Sequence, residues 1–341
     1  MDSLTQIVLG ASMGEAVLGK KAGNRAALWG AIAGTIPDLD VIVNVLSSEF
    51  NGLIHHRGIS HSIAFSIVMA PLLGWLIFRL YGDKYGSARD WTKVAFWALF
   101  THPLLDSFTT WGTQLFLPFS DYRVAINSIF VVDPLYTLPF LICLLIALFL
   151  HRESDMRRFW NWAGIAVSSF YLVLTLANKG TAHAHFVNAL HFQGKSYTRL
   201  ETYPTPLNNL LWYAVAEEIS SYDMGYFSLL GDPGKIRFQS IPKNHQFIPP
   251  ERQNYLVERM KWVSEGLYSL ESRNDTLYWH DLRFGLLNGW AKRDEAPQYV
   301  FTYQLLEEAG EYVDIRAIRP DASTFGWEDL RVFWRKMWGE P

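Results

Sequence analysis

Residues 92–112 read TKVAFWALFTHPLLDSFTTWG, and this stretch is long and apolar enough to cross a bilayer core, which needs about 20 residues of helix. It nevertheless contains two ionisable residues, His102 and Asp106. Placing a charged side chain at the centre of a membrane helix costs roughly 3 kcal/mol on insertion scales, so such residues are functional candidates by default. The stretch therefore predicts a membrane-embedded helix that carries part of a site.

Windows of similar length and hydropathy lie on both sides of this stretch. They cover approximately residues 26–46, 61–82, 127–150 and 159–178. A shorter segment, Leu4–Gly19, is either a short or tilted span or an interfacial helix, and the sequence leaves both open. We predict a polytopic α-helical membrane domain of five to six helices over residues 1–178.

The chain changes character after residue 178. The first 178 residues carry 12 basic and 12 acidic residues, and the remaining 163 carry 18 and 21. Turn-forming Pro and Gly become frequent, and residues typical of strands are concentrated in Leu210–Ala216, Thr276–His280 and Tyr299–Leu305. Glu251–Leu270 follows a Pro pair and has the pattern of an amphipathic helix. We predict a soluble α+β domain over residues 179–341.

Composition excludes several classes of function. Because neither half has a basic excess, no face suits a phosphate backbone, and nucleic acid is not an expected partner. The single cysteine, Cys143, excludes an internal disulfide and a cysteine-based metal site. The N-terminal residues lack the basic region and cleavage site of a secretory signal, so the first helix is expected to belong to the mature protein.

Basic residues in the short loops predict the orientation. Ten Lys and Arg residues follow the first, third and fifth helices, whereas the intervening loops hold only Arg57 and Arg123. Because Lys and Arg are retained on the cytoplasmic side, the N-terminus and the C-terminal domain are expected on the extracytoplasmic side of the membrane. Protein partners cannot be identified from the sequence.

The ionisable residues in the apolar windows fall at one predicted depth. Helix rise is about 1.5 Å per residue and alternate helices run in opposite directions, which places all of them in the extracytoplasmic half of the bilayer. His102 and Asp106 are four residues apart and share a helix face, and Pro37 bends the chain so that its neighbours turn inward. The candidate metal ligands are Asp38, Asp40, His61, His102, Asp106 and Asp133.

Imidazole and carboxylate ligands without thiolate indicate the type of ion. They suit Zn²⁺, Mn²⁺ or Fe²⁺ better than Ca²⁺ or Mg²⁺, and Zn²⁺ is favoured. The candidates exceed the four ligands of a tetrahedral ion, so the sequence allows one or two ions.

Five motifs in order carry a resemblance to a known family. They are Asp2-Ser3-Leu4-Thr5, Pro37-Asp38-Leu39-Asp40, His56-Arg57-Gly58-Ile59-Ser60-His61-Ser62, His102-Pro103-Leu104-Leu105-Asp106 and Asp133-Pro134-Leu135-Tyr136. Over about residues 1–150 the chain resembles the YdjM-like inner-membrane metal-dependent hydrolases of the LexA-regulated type. Members often have His after the opening Asp-x-Leu-Thr, where this chain has Gln6, an amide that binds transition metals weakly. The resemblance implies a metal-dependent hydrolase in a bacterial-type inner (plasma) membrane and names no substrate.

Two residues next to the ligands are assigned catalytic roles. His56, which the family motif favours over His55, is a ligand or a proton carrier, and Arg57 binds an oxyanion or phosphate or else anchors a headgroup. Asp133 is a ligand, an acceptor that orients a histidine, or a helix N-cap. Glu15, toward the opposite end of its helix, is expected to be structural.

These observations predict a membrane-bound metal-dependent hydrolase that acts at the bilayer interface on an ester or phosphoester. A site at headgroup depth indicates a membrane lipid or lipid-linked substrate as the partner. The alternative is a non-enzymatic membrane sensor or scaffold with a structural metal site or a buried polar network. A proton or cation transporter is the weakest hypothesis, because the cytoplasmic halves of the spans carry almost no charge apart from Glu15.

Overall fold

The computed structural model describes residues 1–290, 296–320 and 326–340. Its internal contacts divide the chain into two units, of which the first comprises Met1–Ile42 and His55–Thr175 and the second comprises Val43–Ile54 and Leu176–Pro341. The first unit is helical and the second contains two antiparallel sheets. The prediction of a helical N-terminal region followed by an α+β domain is therefore confirmed at this level.

Helices occupy most of residues 1–192. Two of them are long and apolar enough to cross a membrane, namely Ile63–Lys84, which includes a terminal turn, and Asp155–Phe192. The helix Pro134–Phe149 is apolar but shorter. The count of five to six spans stays a prediction. The helices are α1 (Ser3–Ala22), α2 (Asn24–Thr35), α3 (Val41–Leu46), α4 (Glu49–His55), α5 (Ile63–Tyr81), α6 (Ala88–Asp106), α7 (Pro134–Phe149) and α8 (Asp155–Phe192).

Local sequence signals set the helix boundaries near the candidate site. Asp2 and Ser62 cap α1 and α5 by accepting hydrogen bonds from backbone N–H groups three residues later. Because Pro37 lacks an N–H, α2 ends at Thr35, and Pro37–Asp40 forms a 3₁₀ turn instead of continuing the helix to residue 46. The predicted window therefore contains a break, which is where the acidic residues lie.

Small residues allow α1 and α2 to pack backbone against backbone. A Cβ atom on Gly30 would overlap the carbonyl oxygen of Gly10, and one on Gly14 would overlap the carbonyl oxygen of Ala26. A Cβ atom on Gly34 would lie 3.0 Å from the Cα atom of Gly10. Such small-residue stripes let membrane helices approach closely, and here they fix the end of α2 against α1.

The substitution Gly30→Val is expected to lower the free energy of unfolding by about 1–3 kcal/mol, because overpacking forces the two helices apart. Leu28→Val is the matched control, since Leu28 is 55% exposed on the same helix and the substitution introduces the same side chain. Thermal or denaturant unfolding of the detergent-solubilised chain measures both. Equal stability of the two variants would contradict the packing argument.

The second unit contains two four-stranded antiparallel sheets, each ordered as the strands follow in the chain. The helices α9 (Tyr255–Val263) and α10 (Trp327–Met337) lie in the same unit. The first sheet comprises β1 (Arg199–Pro204), β2 (Leu211–Glu217), β3 (Ser221–Ser228) and β4 (Phe238–Pro242). The second comprises β5 (Tyr268–Arg273), β6 (Thr276–Leu286), β7 (Tyr299–Glu308) and β8 (Glu311–Ile318).

The strand predictions are confirmed by β2, β6 and β7, whereas the predicted helix Glu251–Leu270 was too long. The observed helix α9 ends at Val263, and Tyr268–Leu270 lies in β5. The physical reason is local, because Glu265 and Gly266 have φ angles of 52° and 77°. Two consecutive left-handed residues terminate a right-handed helix.

The segment Val43–Ile54 belongs to the second unit although it is distant from it in sequence. The backbone N–H of Phe50 donates to an Asp314 carboxylate oxygen at 3.2 Å, and the Phe50 ring packs edge-on against Tyr255 with centroids 6.1 Å apart. Glu49 accepts a hydrogen bond from the backbone of Ala317. This connection between two apolar windows is thus held by the strands and helix of the α+β domain.

Candidate metal centre

Three separate segments of the first unit supply the candidate ligands. Asp38 lies in the 3₁₀ turn that Pro37 starts, and His61 ends the turn Ile59–His61 in front of α5. His102 and Asp106 lie in the last turns of α6 and share one face. His61, His102 and Asp106 are fully buried, so the chain brings polar groups together inside an apolar unit.

The four side chains converge on one point. The Nε2 atoms of His61 and His102 are 3.2 Å apart. Oδ2 of Asp106 lies 3.4 and 3.6 Å from these two nitrogens, and Oδ1 of Asp38 lies 3.6 and 3.4 Å from them. All four ligand atoms lie within 4.8 Å of one another. The side chains are therefore close enough to touch a common ion.

These distances fit tetrahedral coordination. Zn–N and Zn–O bonds of about 2.0–2.1 Å require ligand atoms about 3.3 Å apart in a tetrahedron. The five ligand-to-ligand distances above range from 3.2 to 3.6 Å. The donor set, two imidazoles and two carboxylates, also suits a divalent transition metal. The residues present therefore fit the metal that the sequence predicts.

Hydrogen bonds orient both histidines. Nδ1 of His102 lies 2.6 Å from the carbonyl oxygen of Gly34, which can only accept, so Nδ1 carries a proton and the neutral imidazole has its lone pair on Nε2. Nδ1 of His61 faces Ser60 Oγ at 3.1 Å and a carboxylate oxygen of Asp40 at 3.5 Å. Such partners orient metal-binding imidazoles, and here they turn both Nε2 atoms toward the shared point.

Asp106 is held by several donors but keeps one oxygen for the centre. Its Oδ1 accepts from Gln6 Nε2 at 2.9 Å and from the amino group of Met1. Its Oδ2, which faces the two histidines, is buried and has no well-aligned hydrogen bond among the described residues, although the Arg57 Nε atom lies 3.2 Å away. The Arg57 guanidinium therefore offsets part of the charge on this oxygen, which still faces the Nε2 atoms of both histidines.

Arg57 and His56 lie beside the cluster and contact Asp40 or Asp106. The Arg57 guanidinium is buried, and its Nη1 donates to Thr109 Oγ1 at 2.7 Å and to the Asp106 carbonyl at 3.3 Å. The backbone N–H of Arg57 donates to Asp40 at 2.7 Å. Arg57 has a φ angle of 55°, so the chain turns sharply between the two catalytic candidates.

His56 is the candidate that reaches solvent. Its Nδ1 lies 3.4 Å from a carboxylate oxygen of Asp40, and its ring packs edge-on against Trp111 with centroids 5.2 Å apart. Burial lowers the pKa of His56 below its ordinary value. The imidazole is therefore neutral at pH 7, with Nδ1–H directed at Asp40 and a lone pair on Nε2.

The structure distributes the predicted site residues over three positions. Asp38, His61, His102 and Asp106 form the cluster, and Asp40 lies behind it, where it contacts His61 and His56. Asp133 is not brought into the cluster. It is the N-cap of α7, where one carboxylate oxygen accepts from the backbone N–H groups of Leu135 and Tyr136 and the other accepts from Tyr171 at 2.9 Å.

Sequence reasoning did not identify two of the groups that position the cluster. The Gly34 carbonyl, which orients His102, is a backbone group and leaves no side-chain signal. Thr109 accepts a hydrogen bond from Arg57 and is buried. A polar residue in an apolar window was the sequence feature that could have identified it. Gln6 donates from Nε2 to Oδ1 of Asp106 at 2.9 Å, so it contacts one of the candidate ligands as a hydrogen-bond donor.

Comparison with known proteins agrees with the resemblance in the sequence. The YdjM inner membrane protein family matches residues 1–184. YbcI, an inner membrane protein of Escherichia coli strain K12, is 35% identical over 96 residues, which is 28% of this chain and 54% of YbcI. The uncharacterized protein YfhP of Bacillus subtilis strain 168 is 27% identical over 144 residues, 39% of this chain and 42% of YfhP. The chain thus spans about half the length of these relatives, and no solved structure matches it.

Proposed function

The chain belongs to the YdjM inner membrane protein family, and from that premise we propose that it is a membrane-bound metal-dependent hydrolase. The substrate is an ester or phosphoester of a membrane lipid or lipid-linked molecule, and the reaction takes place at the bilayer interface. The observation that supports the proposal is the convergence of four ligand atoms, from His61, His102, Asp38 and Asp106, within 4.8 Å of one another.

Each residue around the cluster has a distinct role in the proposed mechanism. A divalent transition metal, Zn²⁺ before Mn²⁺ or Fe²⁺, would supply a bound water with a pKa near 7 and polarise the scissile bond. Arg57 holds Asp106 in place through its side-chain and backbone contacts, and Asp40 orients His61 and His56. His56, neutral and with Nε2 unprotonated, accepts a proton and returns it to the leaving group.

The position of the site in the chain supports an interfacial substrate. The ligands lie at the ends of α2 and α6 and at the start of α5, beside apolar helices of an inner-membrane family. One cluster of this kind occurs among the described residues, which suits a single ion. We propose that five to six helices span the membrane, that this end faces the extracytoplasmic side, and that residues 179–341 lie there and select the headgroup.

Lipid turnover tests the proposal directly. Purified full-length chain is incubated with total membrane lipid, with and without chelator, and the products are analysed by mass spectrometry. A headgroup or phosphate released only when metal is present is the expected result. The substitution His56→Gln is expected to lower the rate by about 10²–10⁴-fold, as loss of an acid–base group does, while metal content stays unchanged.

Two outcomes would count against this mechanism. Release that continues in the presence of chelator would show that the ion is not catalytic. If the wild-type chain retains its metal but changes no lipid class, the result would favour a membrane sensor or scaffold with a structural ion. His185→Gln is the matched control, because His185 lies on α8 outside the cluster and its substitution removes the same imidazole.

A further inference from the structure

A cavity of about 220 Å³ lies in the first unit between α1 and the first turns of α8. The cavity is distinct from the metal cluster, because the two lie near opposite ends of α1. The cavity is lined by residues at the Lys-rich end, whereas Gln6, which contacts Asp106, lies near the other end. Its volume is below the range of about 300–1,000 Å³ that is typical of sites for drug-sized ligands. The cavity therefore suits a small headgroup better than a whole lipid. Its lining residues are Glu15, Ala16, Val17, Lys20, Arg158, Asn161 and Trp162.

Glu15, which lines this cavity, forms a buried ion pair with Arg157. The Arg157 guanidinium donates from Nε and Nη2 to the two carboxylate oxygens of Glu15, at 2.6 and 2.5 Å, and both side chains are buried. Its Nη1 donates to the Leu150 carbonyl oxygen at 3.0 Å. Because these charges compensate each other, the pair adds little net charge to the cavity.

The net charge of the cavity comes from two cations at its opening. Lys20 and Arg158 are exposed and form no hydrogen bond or ion pair with the described residues. Trp162, next to them, is 54% exposed and can lie at headgroup level as interfacial tryptophans do. Two unpaired cations and an aromatic ring at the end of two membrane helices are the features that recognise an anionic lipid headgroup.

A third feature indicates the chemistry of that headgroup. Asn161 lines the cavity, is 1% exposed and donates from Nδ2 to the Ser12 carbonyl oxygen at 3.1 Å. Its Oδ1 is buried without a hydrogen-bond partner among the described residues. An unsatisfied buried acceptor favours a ligand that carries a hydroxyl donor, and a phosphodiester by itself has no O–H group to donate.

We propose that this cavity binds the headgroup of an anionic phospholipid with a free hydroxyl, of the phosphatidylglycerol class. The phosphodiester contacts Lys20 and Arg158, and a headgroup hydroxyl donates to Asn161 Oδ1. The acyl chains lie along the exposed apolar surface of α8, where Trp162 borders the opening. This is a second lipid site, independent of the hydrolase proposal, and it ties the protein to anionic membranes.

Lipid retention by the intact chain tests the proposal. Detergent-purified protein is titrated with dioleoyl phosphatidylglycerol, phosphatidylcholine or phosphatidylmethanol, an anionic phosphodiester without a hydroxyl, and bound lipid is counted by native mass spectrometry. Two cations near the headgroup are expected to give about a thirty-fold preference for phosphatidylglycerol over the zwitterionic phosphatidylcholine. The double variant Lys20→Ala/Arg158→Ala is expected to lose most of this preference, and Asn161→Leu is expected to lose the preference for phosphatidylglycerol over phosphatidylmethanol.

The matched control is the double variant Arg89→Ala/Lys93→Ala, which removes two exposed cations from α6 outside the cavity. It is expected to keep the wild-type preference. Equal loss in both double variants would show non-specific attraction and overturn the site. Equal binding of all three lipids by the wild-type chain would overturn it without any variant. Displacement of phosphatidylglycerol by millimolar inorganic phosphate would assign the cavity to free anions instead of lipid.

Discussion

Replacing His102 with alanine is expected to lower the affinity for Zn²⁺ by at least about 100-fold, so that purified protein loses its stoichiometric metal. Loss of a residue that merely orients a ligand already costs 10–100-fold, and His102 Nε2 is itself one corner of the tetrahedron. Asp106→Ala should have the same effect, because it removes another corner. Elemental analysis of protein purified without added metal measures the loss.

Asp133→Asn is the matched control for these variants. Asp133 is a buried carboxylate of the same unit that caps α7 and does not enter the cluster. The Asp133→Asn variant should keep its metal, and its free energy of unfolding should fall by about 1 kcal/mol or less, since Asn also caps helices well. Wild-type metal content in His102→Ala and Asp106→Ala would refute the ligand assignment. Loss of metal in Asp133→Asn would show that Asp133 takes part in the site after all.

Removing one partner of the buried pair between Glu15 and Arg157 is expected to lower the free energy of unfolding by about 3–5 kcal/mol, because the other charge is left buried and uncompensated. Both side chains are at most 3% exposed and form a bidentate pair. Replacing both residues with leucine should recover most of the loss, since apolar replacements of a buried pair are often neutral or stabilising. Unfolding of the single and double variants in detergent measures the coupling.

An exposed pair on the same side provides the comparison. Lys21 lies 3.2 Å from Asp90, but its side chain is 65% exposed, so solvent screens the pair. Lys21→Ala should therefore cost less than about 1 kcal/mol. A loss of similar size for Lys21→Ala and Arg157→Leu would show that burial does not determine the contribution of the pair. Failure of the double leucine variant to recover stability would show that the pair is required for the packing of α1 against α8.

The candidate ligands of the cluster could be predicted from the sequence, because placing a polar side chain in an apolar membrane segment costs free energy and such residues are therefore rare. His102 and Asp106 share a helix face by spacing alone, and Pro37 marks the break that frees Asp38 and Asp40. The division into a helical region and an α+β region followed from hydropathy and turn residues in the same way. These features depend on local chain chemistry.

The tertiary structure decided which carboxylates face the common point. Asp38 and Asp40 are two residues apart in one turn, yet Asp38 reaches the two Nε2 atoms whereas Asp40 contacts the opposite nitrogen of His61. The sequence left three roles open for Asp133, and the fold uses its carboxylate to cap α7. The Gly34 carbonyl and the unsatisfied oxygen of Asn161 have no sequence signature at all. Sequence determines the cost of placing a polar group within an apolar segment, but the partners that offset this cost come from distant segments, and only their packing in three dimensions selects them.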